Sequence, residues 1–110
     1  RRGGLVSTAP DLITFARGLF DGTLFDDPES LVTMTTPAPR SSNGLGVMLG
    51  EELMGHAGGI AGFRSMLNYA PEFDAVVVML LMTLSMKLNG RCGLSIWLNV
   101  PARYKFTCGA

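Results

Sequence analysis

Leu53-Met-Gly-His-Ala-Gly-Gly-Ile-Ala-Gly-Phe-Arg-Ser-Met-Leu-Asn-Tyr-Ala70 is the stretch on which the reading of this chain turns. It contains the only histidine, His56, and three of the six residues after it are glycine: Gly58, Gly59 and Gly62. Glycine has no Cβ, so it serves where main chain must pass close to another group. A ring nitrogen beside that much bare backbone suits the wall of a site, where exposed N–H groups face a ligand. The plainer alternative is a glycine-rich turn between two strands, with His56 an ordinary, partly buried residue.

The surrounding periodicity is that of strands. Leu45, Val47 and Leu49 alternate with Gly46 and Met48, as in a strand with one packed face. Gly50-Glu51-Glu52 makes a tight turn, Leu53–Ala57 returns, and Phe63–Ala70 is the next strand. Pro71-Glu72-Phe73-Asp74 is a turn, and Ala75–Thr83 is valine-rich and apolar throughout, as a central strand covered on both faces would be. Short connections make the neighbours antiparallel. A meander of about four strands is predicted on this pattern.

Two helices precede it. Thr8 can accept from a first-turn N–H, Pro10 loses no hydrogen bond there, and Asp11 faces the positive end of the dipole. Leu12, Phe15, Ala16, Leu19 and Phe20 then repeat at the spacing of one helical face, which reads as core packing, and Gly22 ends the helix. A second start lies at Asp27-Pro28-Glu29, with Leu31, Val32 and Met34 as its apolar face. Pro37 and Pro39 stop it, because a residue before proline is pushed out of helical geometry. Asp26, Asp27 and Glu29 fit a solvated helix N-terminus better than a cation site. Ala38–Gly44 is loop by composition.

Residues 1–84 therefore read as one structural unit, and residues 85–110 as an irregular tail of open origin. The tail carries Asn89-Gly90, Gly93 and Pro101, with weak strand signals at Leu94–Leu98 and Arg103–Phe106. Cys92 and Cys108 could form one disulfide or none, and the compartment stays open.

Composition narrows the classes. The chain has 110 residues, 47% hydrophobic and 16% charged, enough for one domain with a real core and unlike a disordered segment. Nine basic and nine acidic residues cancel, so no electrostatic footprint for nucleic acid or an anionic membrane exists. The apolar run Ala75–Met82 falls short of the roughly 20 residues a membrane span needs. Arg1-Arg2-Gly3-Gly4-Leu5-Val6 has no initiator methionine and no apolar run behind its charges, so it reads as the interior of a longer protein and not as a signal peptide.

One histidine and no Cys-x-x-Cys argue against zinc, and without Gly-x-Gly-x-x-Gly or Gly-Lys-Ser/Thr nucleotide binding lacks support. No cofactor is implied. A His-Gly-Gly-like run suits the oxyanion loop of an α/β-hydrolase, but here strands follow it and there is no Gly-x-Ser-x-Gly.

A more specific pattern lies in the order Gly3-Gly4-Leu5-Val6-Ser7-Thr8-Ala9-x-Asp11-Leu12, then Leu45-Gly46, Gly55-His56-Ala57-Gly58-Gly59, Gly62-Phe63, Ser65, Pro71 and the valine-rich strand. It resembles the C-terminal part of the serine β-lactamase-like family, which holds class C β-lactamases, D-alanyl-D-alanine carboxypeptidases, D-aminopeptidases and related esterases. The likeness runs from about Gly3 to Thr83. It implies an α+β fold, an antiparallel sheet edged by helices, forming part of the β-lactamase/transpeptidase-like sheet domain. It also implies a serine hydrolase that transfers an acyl group from an ester or amide to water. The family's third motif, Lys/His-x-Gly, matches His56-Ala57-Gly58. By resemblance, His56 would orient or polarise substrate or catalytic groups. Ala57 and Gly58 would let substrate lie against the strand, and the Gly59 N–H would be one oxyanion-hole donor.

The other two motifs, Ser-x-x-Lys and Tyr-x-Asn, do not occur, and Lys87–Ala110 lacks the pattern of the C-terminal helix the family packs on its sheet. The chain alone is therefore expected to be inactive, since covalent catalysis needs the activated serine. Its partner would be the small-molecule or peptide substrate of the parent protein. The alternative is a truncated or degenerate domain that only binds a partner through exposed sheet edges; a lone hydrolase fragment with those edges uncovered would self-associate, whereas an evolved binding module would stay monodisperse. A small structural domain without a site would instead bury His56.

Overall fold

The computed structural model describes residues 4–82, 94–100 and 103–108. Two helices, α1 (Ala9–Phe20) and α2 (Pro28–Thr35), precede six strands. These are β1 (Met48–Leu49), β2 (Met54–Ile60), β3 (Phe63–Ala70), β4 (Ala75–Met82), β5 (Leu94–Val100) and β6 (Arg103–Cys108). They form one sheet in sequence order, each strand antiparallel to the next, so the fold is α+β. Both weak strand signals of the tail fall on β5 and β6, which extend the same sheet. Thr83, Cys92 and the Asn89-Gly90, Gly93 and Pro101 breaks lie outside the described residues.

The start of α1 follows its residues. The Thr8 hydroxyl accepts from the Asp11 N–H at 3.3 Å, which satisfies one of the donors a helix start leaves free. At the far end the Asp21 N–H reaches the Arg17 carbonyl, and Gly22 turns the chain away at φ +78°. The buried line is Ala9, Ile13 and Ala16, set on Val76 and Val78 of β4, with Leu12, Phe20, Leu67, Tyr69, Leu80 and Trp97 packed around it. The expected stripe needs correction: Ile13, outside it, is 1% exposed, whereas Phe15, inside it, is 52% exposed. Apolar residues occupy two overlapping faces of this helix, and the sheet selects the one on which two small alanines admit close approach.

The Asp27 side chain caps α2 by accepting from the Glu29 N–H at 3.0 Å, and Thr36, extended at ψ 126°, ends it directly before Pro37. None of its residues is buried, and Val32 is 64% exposed. The apolar face expected for this helix is thus not a core face within the described residues.

The first expected strand, Leu45–Leu49, is reduced to Met48–Leu49. Gly46 adopts φ +73°, the Gly44 N–H closes on the Val47 carbonyl at 2.8 Å, and the Leu45 N–H is held by the Met34 carbonyl at 3.0 Å. That arrangement fixes Gly44, where a Cβ would lie 2.0 Å from the Met34 carbonyl oxygen. The chain therefore loops back to α2 before it can extend. Val47 is buried and Leu45 is exposed.

Strand β4 departs from expectation in its cover. Its row Val76, Val78, Leu80 lies beneath α1, the helix that packs on the sheet. The alternate row Val77, Met79, Leu81 is half-buried, with no comparable cover among the described residues.

Candidate functional site

The glycine run is strand, not turn. β2 continues through Gly58 and Gly59 to Ile60, and the reversal is confined to Ala61-Gly62. A two-residue loop needs its left-handed residue only at Gly62, whose φ is +80°. His56 pairs with Leu67, Ala57 with Met66, Gly58 with Ser65 and Gly59 with Arg64. The four predicted site residues therefore lie in a row on one strand.

That strand is an edge for most of its length. β1 covers it only at Met54 and Gly55. Across the β1–β2 turn the Gly50 N–H donates to the Leu53 carbonyl at 2.8 Å. Hydrogen-bonded and non-bonded pairs alternate along an antiparallel ladder, so the Met48–Gly55 pair directs Gly55 toward β1. By the same alternation, the N–H and C=O of Ala57 and Gly59 point outward. Those of His56, Gly58 and Ile60 point toward β3. No described strand meets the outward groups.

His56 is exposed, so it is not the core histidine of a siteless domain. It shares the face of its cross-strand partner Leu67, which packs against the α1 core, but stands beyond the helix's cover. Its Nδ1 lies 2.6 Å from the Ala57 carbonyl oxygen. A carbonyl only accepts, so Nδ1 carries the proton. In the neutral ring Nε2 is then the free nitrogen, with no hydrogen-bond partner among the described residues.

The two site glycines are shadowed by their cross-strand neighbours. A Cβ on Gly58 would lie 2.6 Å from Ser65 Oγ, and one on Gly59 would lie 2.8 Å from Arg64 Nη1. Both neighbours are exposed side chains. The faces above the glycines thus hold this chain's own polar groups, and the open direction is the strand edge. Gly55 is a structural requirement: a Cβ there would sit 1.9 Å from the Leu67 carbonyl oxygen.

A second polar cluster went unseen in the sequence. Arg17 of α1 donates from Nε to Asn99 Oδ1 at 2.7 Å and from Nη2 to the Asn99 carbonyl at 3.2 Å. Its Nη2 also reaches the Asp74 carbonyl at 2.6 Å, and Nη1 pairs with the Asp74 carboxylate. The Tyr69 hydroxyl donates to the same carboxylate at 3.1 Å, and its ring stacks on Phe20 with centroids 4.8 Å apart. Burial, then the hydrogen bond its hydroxyl donates to the Asp74 carboxylate, raises the Tyr69 pKa above 10.0. The cluster clamps the helix to the β3–β4 corner and to β5, and its groups satisfy one another. No sequence signal joins Arg17 to Asn99 at that separation. The only local cue is Asp74, left-handed at φ 45° after a short 3₁₀ turn, a conformation Asp and Asn tolerate.

Comparison with protein-family models, with curated proteins and with solved structures returned no match. Among the described residues no helix is long and apolar enough to cross a membrane.

Proposed function

We propose that this chain forms one wall of the acyl-transfer site of a serine hydrolase of the β-lactamase-like kind. In this reading β2 is the strand against which an ester or amide substrate lies. The observation that carries it is the outward edge at Ala57–Gly59 beside an exposed imidazole. An oxyanion hole needs a fixed N–H aimed into a space that a carbonyl oxygen can enter. The Gly59 N–H meets that need: β3 holds the strand, and nothing described occupies the edge. One such donor is worth about 3 kcal/mol of barrier. His56, with Nδ1 bound to Ala57 and Nε2 open, can hold or polarise a group at the same edge.

The nucleophile and its base belong to a different segment of the parent protein, since no serine here has Lys three residues on. Strands β5 and β6, where the family places a helix, are a departure that this reading must accommodate. The competing reading, a non-catalytic domain, draws on the same open edge as a place for a partner.

The test uses the product of the complete reading frame, incubated with a fluorescent penicillin and with a fluorophosphonate. Covalent labelling of a serine in Ser-x-x-Lys is expected, slowed about 10²- to 10³-fold by Gly59→Pro, which deletes the donor. The 110-residue chain by itself stays unlabelled. An acyl-enzyme on this chain, or a complete product without a labelled serine, overturns the proposal.

A further inference from the structure

Asn43 is followed directly by Gly44 in the loop between α2 and β1. In an Asn-Gly pair the glycine amide nitrogen can attack the asparagine side-chain carbonyl carbon, because no Cβ obstructs its approach. A new C–N bond forms, and the carboxamide nitrogen leaves as ammonia, taking the amide proton with it. The product is a cyclic succinimide, which water opens. Addition at the former side-chain carbonyl gives aspartate. Addition at the main-chain carbonyl breaks the original C–N bond and gives isoaspartate, whose main chain runs through the former side chain and is one methylene longer.

The fold presents this pair and also restrains it. Asn43 is exposed, and its carboxamide has no partner among the described residues. The peptide plane that joins the pair is held at both ends. Its carbonyl accepts from the Ala38 N–H at 2.9 Å, and its N–H donates to the Val47 carbonyl at 2.8 Å. The Gly44 nitrogen cannot turn onto the Asn43 side chain or lose its proton until those bonds break. Glycine is nevertheless required at 44, since a Cβ there would lie 2.0 Å from the Met34 carbonyl oxygen. The protection hangs on α2. Met34, in its last turn, holds the Leu45 N–H at 3.0 Å, and Ala38 follows closely on the helix end. With eight residues and none fully buried, α2 opens readily.

We propose that Asn43 is a deamidation site gated by α2, and that isoaspartate, once formed there, unmakes β1. Each opening of α2 frees the Gly44 amide to attack. The extra methylene then falls between Asn43, which bridges Met48, and Gly44, which closes on Val47. Those two contacts cannot both survive the longer chain, and β1 is only Met48–Leu49. Its loss uncovers β2 at Met54 and Gly55, so the open edge of the sheet lengthens by a covalent step. This proposal does not rest on the hydrolase reading.

Peptide mapping of the full chain, with aspartate and isoaspartate separated by chromatography, follows the reaction in warm, mildly alkaline buffer. Trypsin places Asn43 in the peptide Ser41–Arg64, apart from the other Asn-Gly pair at Asn89, which lies outside the described residues. Conversion of Asn43 is expected to be at least about tenfold slower in the folded chain than in urea. Asp27→Ala removes the α2 cap and is expected to speed the folded-state reaction about fivefold, as a lost N-cap implies. The rate in urea and the protection of the β4 amides stay as they were. In the isolated isoaspartate form the Gly55 amide is expected to exchange at least about tenfold faster. Asn43→Asp, which adds the charge without the methylene, keeps Gly55 protected. Equal rates in the folded chain and in urea overturn the proposal, as does an Asn43 that stays intact in urea. So does a folded-state rate indifferent to Asp27→Ala, or Gly55 protection that survives isoaspartate or is lost in Asn43→Asp.

Discussion

Arg17 joins a helix and two parts of the sheet through a single guanidinium, bonded to Asn99 through Nε and Nη2 and to Asp74 through Nη1 and Nη2. The ion pair with Asp74 contributes little by itself, because that carboxylate is half exposed and solvent screens it. The hydrogen bonds matter more, since removing the guanidinium leaves the buried Asn99 side chain without its donor. Arg17→Ala is expected to cost about 2 kcal/mol in urea unfolding. Arg17→Lys is expected to recover less than half of that, because an ammonium cannot reproduce the planar fork. Full recovery by lysine would show that charge alone held the cluster together.

Tyr69, in the same cluster, sets an alkaline limit. Its folded pKa stands above the unfolded value of 10.0, so the native state keeps its proton where the unfolded chain has released it. The stabilisation is complete below pH 10.0 and is lost as pH rises from there through the folded value. Tyr69→Phe is expected to flatten the fall in unfolding midpoint above pH 10.0 while preserving the stack on Phe20. An unchanged alkaline slope in that variant would assign the loss to another group.

At the scale of elements, α1 depends on which of its apolar residues meets the sheet. Ile13→Ala is expected to destabilise by about 2–5 kcal/mol, because the site is closed on all sides by the core. Phe15→Ala, on the exposed flank, is expected to cost under about 1 kcal/mol. Thermal denaturation of the pair measures the contrast, and equal losses would contradict the packing. The helix itself was legible from Thr8, Pro10 and Asp11, and so were Phe63–Ala70 and nearly all of the Ala75–Thr83 strand, because caps, turns and β-branched runs act locally. The buried face was legible only in part: Ala16 stood in the expected stripe, but Ala9 carries almost no periodic signal and Ile13 lies on the neighbouring apolar face, so the choice between the two faces falls to the sheet. Strand β2 was cut short at Ala57 for a related reason: glycine has no strand preference, and only the pairing of Gly58 with Ser65 and Gly59 with Arg64 holds it extended. The candidate site fared likewise. His56 and its glycines were visible as residue types, whereas their place on an open edge depends on β1 beginning only at Met48, which Gly46 decides from outside the strand.

Across the whole molecule, cover is unequal, and stability should follow it. β4 is flanked on both sides by long strands and roofed by α1, whereas α2 has only eight residues and none of them is fully buried. A helix that short is marginal without tertiary packing, so its capping by Asp27 cannot hold it against local opening. Amides such as those of Val76 and Val78 lie in a strand laddered to β3 and β5 beneath α1, so their exchange requires disrupting the core itself. Native-state hydrogen exchange in rising urea is therefore expected to show two classes. The α2 amides exchange through local fluctuation with little urea dependence, and the β3 and β4 amides through global unfolding with the full dependence. Protection of α2 equal to that of β4 would mean that α2 is locked to the sheet by a contact beyond those described.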